Sequence, residues 1–353
     1  KYSIKNRYDN VCRYDFKEVA DNLTYHAGTP GTIAFTLIDT NDTTVAKFRG
    51  GVLTPDGKII FIPTKSRYIG VFDTLTETLT YPYDTGNTAT WKWIGGVLLD
   101  DKKILFGGST SDRLSIYYYG NNVFEMKNVG VTNFFQPAGV SPDRCIFFPR
   151  NNRYIYEYNP TNDEITSFDT LDTASERYHC ASVTTNGKLV CVPFTASYIG
   201  IYDYVNKTFT TNNIGAASLS WISCVSTMTN KIVFIPHNSR YIGIYDPENN
   251  TYSSVDTGDT GTAKWSGGVT LPNNDVLFVP SCSRYIGVYS SSTNTFTKID
   301  SSQTSANKWC GGVYLPNGKV IFIPYDFRYI GVLDTKIIPT NPTALLGSYS
   351  NRV

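Results

Sequence analysis

The chain has 353 residues, a length that suits one large all-β domain or an array of repeats. Its 31 Lys and Arg residues balance 30 Asp and Glu residues, so the net charge of +1 gives no electrostatic basis for binding nucleic acid. Aromatic residues make up 14% of the chain and favour strands. No apolar run approaches the ~18 residues of a membrane-spanning helix, and we predict no membrane span.

The chain begins with a segment, residues 1–30, that we predict to be an extension of the main domain. Residues 15–23 suit one short helix, and the turn residues Gly28 to Gly31 lead into a strand. That strand, within residues 31–39, aligns with the last part of later repeats but has no repeat of its own.

Seven copies of one segment follow. Their opening pairs of small residues start at Gly50, Gly95, Pro137, Cys180, Ser223, Gly267 and Gly311. An aromatic residue stands two positions before each pair; these ring aromatics are Phe48, Trp93, Phe135, Tyr178, Trp221, Trp265 and Trp309. Each copy holds three β-rich runs separated by turn signals, and a fourth run follows. Four short strands per ~44 residues is the period of a propeller blade, not of a two-helix repeat.

The last copy lacks its fourth strand. Residues 335–353 contain two prolines and no strand that matches the repeat, and we predict that they form a tail. The unmatched strand before the first copy can supply this missing fourth strand. We therefore predict an all-β fold over residues 31–334: a seven-bladed β-propeller with four-stranded blades, closed by an N-terminal strand that completes the last blade.

The third and fourth runs carry a resemblance to a known family. The segment from Tyr241 to Tyr252, YIGIYDPENNTY, resembles the end of a kelch repeat, with its tyrosine-aspartate corner and an aromatic after a short turn. The second copy also carries the kelch double glycine, Gly107-Gly108. Six copies have proline at that point: Pro63, Pro149, Pro193, Pro236, Pro280 and Pro324. The chain thus resembles a divergent kelch-like propeller, and this implies a fold rather than an activity.

Charged residues recur on the loops of one predicted face. A basic residue precedes five ring aromatics: Lys47, Lys92, Arg177, Lys264 and Lys308. The loop after the second strand carries Arg67, Arg113, Arg153, Arg240, Arg284 and Arg328, and the fourth strand ends at Asp39, Asp84, Asp169, Asp256 and Asp300. We interpret the arginines, aspartates and ring aromatics as a blade-to-blade fastener of charge-assisted hydrogen bonds and cation–π contacts. The alternative is an exposed surface for sugars or a protein.

Ligand sites are expected where the copies differ, because residues present in every copy serve the repeat itself. The second to fourth copies break the symmetry on this face. There we predict partner binding by Trp91, Trp93, Phe134, Phe135, Arg150, Arg177 and Tyr178.

Residues suited to catalysis or metal binding are sparse. The chain has three histidines, His26, His179 and His237, and its seven cysteines show no CxxC or Cys/His cluster. We therefore predict no metal, no cofactor and no disulfide framework. Cys180, Cys224 and Cys310 fall in or beside the small pairs and are interpreted as small buried residues. No phosphate loop, nucleophile elbow or zinc-protease motif occurs.

The sequence predicts a non-enzymatic binding scaffold whose expected partner is a protein. Reduced thiols favour an intracellular setting or a surface component of a virion or large complex over a disulfide-stabilised secreted protein, although the location stays open. Two alternatives remain: a carbohydrate-binding propeller that uses exposed ring aromatics, and a glycoside hydrolase that uses carboxylates at the channel mouth.

Overall fold

The computed structural model describes residues 34–100, 102–108, 113–128, 137–141, 144–148, 150, 153–173, 177–215 and 220–335. These residues form 28 β-strands and no helix, so no helix of the described ranges could cross a membrane. The strands make seven antiparallel sheets of four, and the seven-bladed propeller is confirmed. The predicted helix over 15–23 and the tail over 335–353 lie outside the described residues, apart from residue 335.

Each blade is a four-stranded meander whose first strand is innermost. Blades 1 and 2 consist of β2 Phe48–Leu53, β3 Lys58–Pro63, β4 Tyr68–Asp73, β5 Thr78–Asp84, β6 Trp93–Asp100, β7 Lys103–Gly108, β8 Arg113–Tyr118 and β9 Val123–Asn128. Blades 3 and 4 consist of β10 Pro137–Ser141, β11 Arg144–Phe147, β12 Tyr154–Asn159, β13 Glu164–Asp169, β14 Tyr178–Val183, β15 Lys188–Pro193, β16 Tyr198–Asp203 and β17 Thr208–Asn213. Blades 5 and 6 consist of β18 Trp221–Ser226, β19 Ile232–Pro236, β20 Tyr241–Asp246, β21 Thr251–Asp256, β22 Trp265–Thr270, β23 Val276–Pro280, β24 Tyr285–Ser290 and β25 Thr295–Asp300. Blade 7 consists of β26 Trp309–Tyr314, β27 Lys319–Pro324, β28 Tyr329–Asp334 and β1 Ala34–Asp39.

The ring is closed by β1, as the sequence predicts. This strand pairs with β28 in an unbroken antiparallel register from Ala34↔Asp334 to Asp39↔Tyr329. Phe35 packs its ring 5.7 Å from that of Trp309 and 5.8 Å from that of Phe322. Strand β1 therefore completes the last blade, and this pairing between distant parts of the chain closes the ring of blades.

The hydrophobic core is divided among the interfaces between blades. Six of the seven clusters of buried side chains draw on two neighbouring blades and one draws on three; one combines Val269 and Leu277 of blade 6 with Phe322 and Leu333 of blade 7. Second strands are the most buried, and Ile59 through Ile62 are fully enclosed. Their apolar runs explain why the repeat folds only as a ring, since each blade needs a neighbour on both faces.

In six of the seven blades the innermost strand contains a bulge at the small pair. In blade 6 the pairing shifts between Trp265 and Gly268, and Gly267 has a φ of +117°. A Cβ on Gly267 would lie 2.6 Å from the Cα of Gly311 in blade 7. Glycine is therefore required here by both backbone conformation and the close approach of two inner strands.

The ring aromatics are interior residues. Phe48, Tyr178, Trp221, Trp265 and Trp309 are fully buried, and Trp93 is 1% exposed; Phe135 lies outside the described residues. The indole Nε1 of Trp265 donates to the Tyr285 carbonyl oxygen at 2.8 Å, and the ring lies edge-on to Phe278. The expected alternative of sugars stacking on exposed ring aromatics is therefore wrong for every ring aromatic that the structure describes.

The recurring arginines and aspartates pair within one blade, which corrects the predicted blade-to-blade fastener. Arg240 donates through Nε and Nη2 to both carboxylate oxygens of Asp256 at 2.7 and 2.6 Å, and Tyr241 is the cross-strand neighbour of that aspartate. The same third-to-fourth-strand pair is formed by Arg67 and Asp84, Arg153 and Asp169, Arg284 and Asp300, and Arg328 and Asp39. The side chain of Arg113 lies outside the described part of the chain.

Buried lysines make the contacts between blades. Lys308 is fully buried, and its Nζ donates to the carbonyl oxygens of Ser281 and Ser283 in the preceding blade and of Ser305, at 2.8, 2.9 and 2.9 Å. Lys264 binds three carbonyl oxygens in the same way. Each ammonium also lies 5.6–5.7 Å from the centre of the adjacent indole ring, which is the predicted cation–π contact. In blade 4 Arg177 makes it with Tyr178 at 5.8 Å.

Candidate functional site: an axial pocket

A pocket of about 250 Å³ opens on the propeller axis, on the face that carries the arginine–aspartate pairs. Its lining comes from blades 1, 4, 5, 6 and 7 and from the loops beside them. The lining residues are Arg49, His179, Phe194, Ile222, His237, Asn238, Ser266, Ser281, Asn307, Cys310 and Tyr325. The pocket therefore joins five blades around the axis, where a ring of repeats naturally leaves a cavity.

Two positions of each repeat supply nine of these side chains. The first lies directly after the ring aromatic, as in Arg49 and His179, and the second lies directly after the second strand, as in His237 and Tyr325. The strand bulge explains the first position: in blade 4 the register shifts between Tyr178 and Cys180, which leaves His179 outside the regular pairing. A bulge of this kind re-aims a side chain, here toward the axis while the ring aromatic fills the core.

The two histidines are neutral at neutral pH. His179 is 7% exposed and lies with its ring 4.9 Å from that of Phe194. Burial lowers the pKa of His179 well below its ordinary value, and the charges of Arg49 and Arg150 act in the same direction. Burial also lowers the pKa of His237, whose Nδ1–H donates to the Trp265 carbonyl oxygen at 3.1 Å. This bond leaves the His237 Nε2 as the acceptor nitrogen of the neutral ring.

Arg49 brings a positive charge that no described carboxylate neutralises. Its Nε is buried and has no hydrogen-bond acceptor, in contrast to the bidentate arginines farther from the axis. The charge of Arg49 influences His179, His237 and Tyr325, which belong to blades 4, 5 and 7. The guanidinium of blade 1 therefore acts across the width of the pocket.

The remaining lining is made of hydroxyl, amide and aromatic groups. Ser266, Ser281, Asn238, Asn307 and Tyr325 supply polar hydrogens, and the eleven lining residues include no Asp or Glu. A glycoside hydrolase needs two carboxyl groups beside its substrate, and this pocket offers none among its described residues. No group of three or more His, Cys, Asp or Glu residues suited to a metal occurs within the described ranges.

The sequence-predicted partner residues fall into three groups. Trp91 is 38% exposed and its ring lies 6.5 Å from that of the lining residue Tyr325, and the charge of Arg150 acts on His179; both adjoin the pocket. Trp93, Arg177 and Tyr178 are at most 1% exposed and are not available to a partner. Arg177 instead donates to the backbone of Asp172 at 2.9 Å. Phe134 and Phe135 lie outside the described residues.

Arg49, His179 and His237 were not predicted as site residues. The signal for them lies in the repeat alignment, where the residue after the ring aromatic changes in character from blade to blade. It reads Arg49, Ile94, Gln136, His179, Ile222, Ser266 and Cys310. The residue before this position is aromatic in every copy, and the residue after it is small. The position between them is therefore the one at which the copies differ.

Comparisons with known proteins support the fold and leave the activity open. No protein-family model matches the chain, and no curated protein matches it in sequence. The structure is similar to that of a virginiamycin B lyase from Staphylococcus aureus, with a TM-score of 0.72 at 12% identity over 86% of this chain and 99% of that one. A chain of a mitotic checkpoint complex is similar with a TM-score of 0.68 at 10% identity, over 88% and 95% of the two chains. The structure described as YCF48 bound to D1 peptide is similar with a TM-score of 0.67 at 9% identity, over 88% and 96%.

These three proteins include an enzyme and two propellers found with protein or peptide. At 9–12% identity the similarity shows a shared propeller fold and no shared activity. None of the three descriptions names a kelch protein, so the kelch resemblance rests on this chain's own sequence motifs.

Proposed function

We propose that the chain is a non-enzymatic binding propeller that holds a segment of a protein partner at the axial pocket. The observation that carries this proposal is that structural residues and pocket residues occupy different positions of the repeat. Ring aromatics, paired arginines and buried lysines all serve the fold, whereas the positions at which the blades differ meet in one pocket. A rigid scaffold with variable residues at one mouth is the usual arrangement of a recognition site.

Two of the similar structures support a protein as the ligand, since they are described as a checkpoint complex and as bound to a peptide. The chain's own support is the rim of the pocket, where Trp91 and Tyr325 add partly exposed aromatic surface. Aromatic residues are enriched in protein interfaces. Kelch-like membership and a place in a virion or large complex rest on the sequence alone.

Site-specific photocrosslinking tests the proposal. A photoreactive phenylalanine analogue replaces Asn238, an exposed residue of the pocket lining, and in a matched variant it replaces Val205, which is 61% exposed on the opposite face. We expect a discrete adduct in native extract from position 238 alone. It should disappear on adding excess unlabelled protein but persist with excess His237→Gln protein. Adducts of equal yield from both positions, or from neither, would contradict the proposal.

A catalytic role is the second candidate, and the two pocket histidines are the observation that favours it. A neutral imidazole can accept a proton from a substrate. One structure similar to this chain is a catalytically inactive lyase variant in which a histidine is replaced by alanine, with quinupristin. Incubation of this chain with quinupristin followed by mass spectrometry decides the matter: turnover that His237→Gln abolishes would replace the binding proposal, and we expect none.

A further inference from the structure

The charge of the axial pocket identifies the kind of group that it accepts. Of its eleven lining residues Arg49 alone carries a full charge at neutral pH, because both imidazoles are neutral and no carboxylate is present. The Nε of Arg49 is buried and lacks an acceptor. A guanidinium held at a cavity without a described counter-ion provides strong attraction for an oxyanion, and its planar fork suits two oxygens at once.

We propose that the axial pocket binds a carboxylate group, with the Arg49 guanidinium as its ion-pair partner and hydroxyl and amide groups as further donors. This inference rests on the proposed function, because it assigns the carboxylate to an acidic segment of the protein partner. Within the lining, the single guanidinium of Arg49 matches a monoanion such as a carboxylate. A phosphate monoester carries about −1.5 to −2 at pH 7 and would also need Arg150, whose charge acts on His179 from beside the pocket.

The volume of the pocket suits the carboxylate end of a side chain or of a polypeptide rather than a whole ligand. Its volume of about 250 Å³ is smaller than the roughly 300–1,000 Å³ of cavities that enclose a drug-sized ligand. An acidic side chain or a terminal carboxylate can enter, while the chain that bears it stays at the rim beside Trp91 and Tyr325. The face outside the pocket reinforces this orientation, because the arginines there are already paired with aspartates.

Neutral donors share the pocket lining with Arg49. Ser266 and Ser281 lie on blade 6 at 7% and 6% exposure, and Asn307 precedes blade 7. Tyr325 retains its phenolic proton, since burial raises its pKa to about 12. An entering carboxylate therefore finds one permanent cation and several neutral donors in the same lining.

Nuclear magnetic resonance of the imidazoles tests the proposal on the whole chain. The protein has three histidines, so the signals of His179 and His237 can be assigned by single His→Gln variants. Titration with acetate at constant ionic strength should shift both signals along a saturating curve. Arg49→Gln should weaken acetate binding by about tenfold or more. Arg67→Gln is the matched control, since it removes the same charge from the same blade and face but from a residue already paired with Asp84.

Two peptide probes link the site to the proposed partner. An acetylated and amidated Gly-Glu-Gly peptide should bind at least tenfold more tightly than the same peptide with Gln. Equal binding of the two, linear shifts with acetate, or equal losses in Arg49→Gln and Arg67→Gln would each overturn the carboxylate site. Tighter binding of inorganic phosphate than of acetate would overturn the choice of carboxylate. His237→Gln provides a second variant if Arg49→Gln fails to fold.

The two proposals fail separately. A crosslinked adduct at Asn238 without any acetate response would leave the binding function standing and remove the carboxylate. Saturable acetate binding without an adduct would leave the carboxylate site standing and remove the protein partner.

Discussion

Replacement of Lys308 by methionine tests the role of the buried lysines in joining blades. The ammonium supplies hydrogen bonds to three carbonyl oxygens at 2.8–2.9 Å, two of them in the preceding blade. The Ser281 carbonyl oxygen also accepts from the Lys308 backbone N–H, which the variant keeps. Two acceptors are therefore left without a donor, at a cost of about 2 kcal/mol each, or about 4 kcal/mol. Burial lowers the pKa of Lys308 to about 8, so a neutral side chain recovers about 3 kcal/mol of the desolvation cost. The expected net loss of stability is about 1 kcal/mol.

Urea unfolding followed by tryptophan fluorescence measures this loss. Lys58→Met is the control, because its ammonium is exposed and paired with Asp56, and we expect a change of about 0.3 kcal/mol or less with no effect on the rise in stability at alkaline pH. The pH dependence provides a second measurement. An unfolded lysine has a pKa of about 10.4, so unfolding takes up a proton between about pH 8 and 10.4, and wild-type stability should rise with pH there. Lys308→Met should lose part of that rise. A variant as stable as the wild type would refute the role of Lys308 between blades.

Three further predictions follow from the packing. Gly267→Ala should cost about 3 kcal/mol or more in urea unfolding, because its Cβ would lie 2.6 Å from Gly311, whereas Gly258→Ala, also at positive φ but in open space, should cost about 1 kcal/mol. Phe35→Ala should destabilise the closing strand by about 2 kcal/mol and speed proteolysis near the N-terminus, while Thr36→Ala on its exposed side should change little. Because burial and the charges of Arg49, Arg150 and His237 lower the pKa of His179, the contribution of His179 to stability should be constant above about pH 6.5 and fall below it, and His179→Gln should flatten that fall.

The architecture could be predicted because the repeat contains its own evidence. The spacing of the ring aromatics sets the number of blades, and the missing fourth strand after β28 requires a partner from elsewhere in the chain. Only β1, ahead of the first repeat, fits that place. Both inferences depend on strand counting and on the cost of an open sheet edge, and neither requires knowledge of where any side chain points.

The site could not be predicted in the same way, because its residues depend on a local irregularity. Regular alternation would place Tyr178 and Cys180 on one side of the strand and His179 on the other without indicating which side faces the axis. The bulge decides that question by turning Tyr178 into the core between blades. An alternation pattern therefore identifies candidates, but the register of the innermost strand determines which of them a ligand can reach.

The same reasoning explains why the recurring charged residues serve the fold, as predicted, but within one blade. Arg240 and Asp256 are 16 positions apart and fall at the facing ends of two paired strands, so their ion pair is a consequence of blade geometry. Arg49 occurs once at its repeat position, and no fold requirement accounts for it. In a propeller built from near-identical blades, a charged residue that recurs in most blades is explained by the structure of the blade. A half-buried charge that occurs in one blade needs a ligand or another cause outside the repeat. The axial guanidinium is the residue on which this argument rests, and its location among neutral donors is why a carboxylate is the group we assign to it.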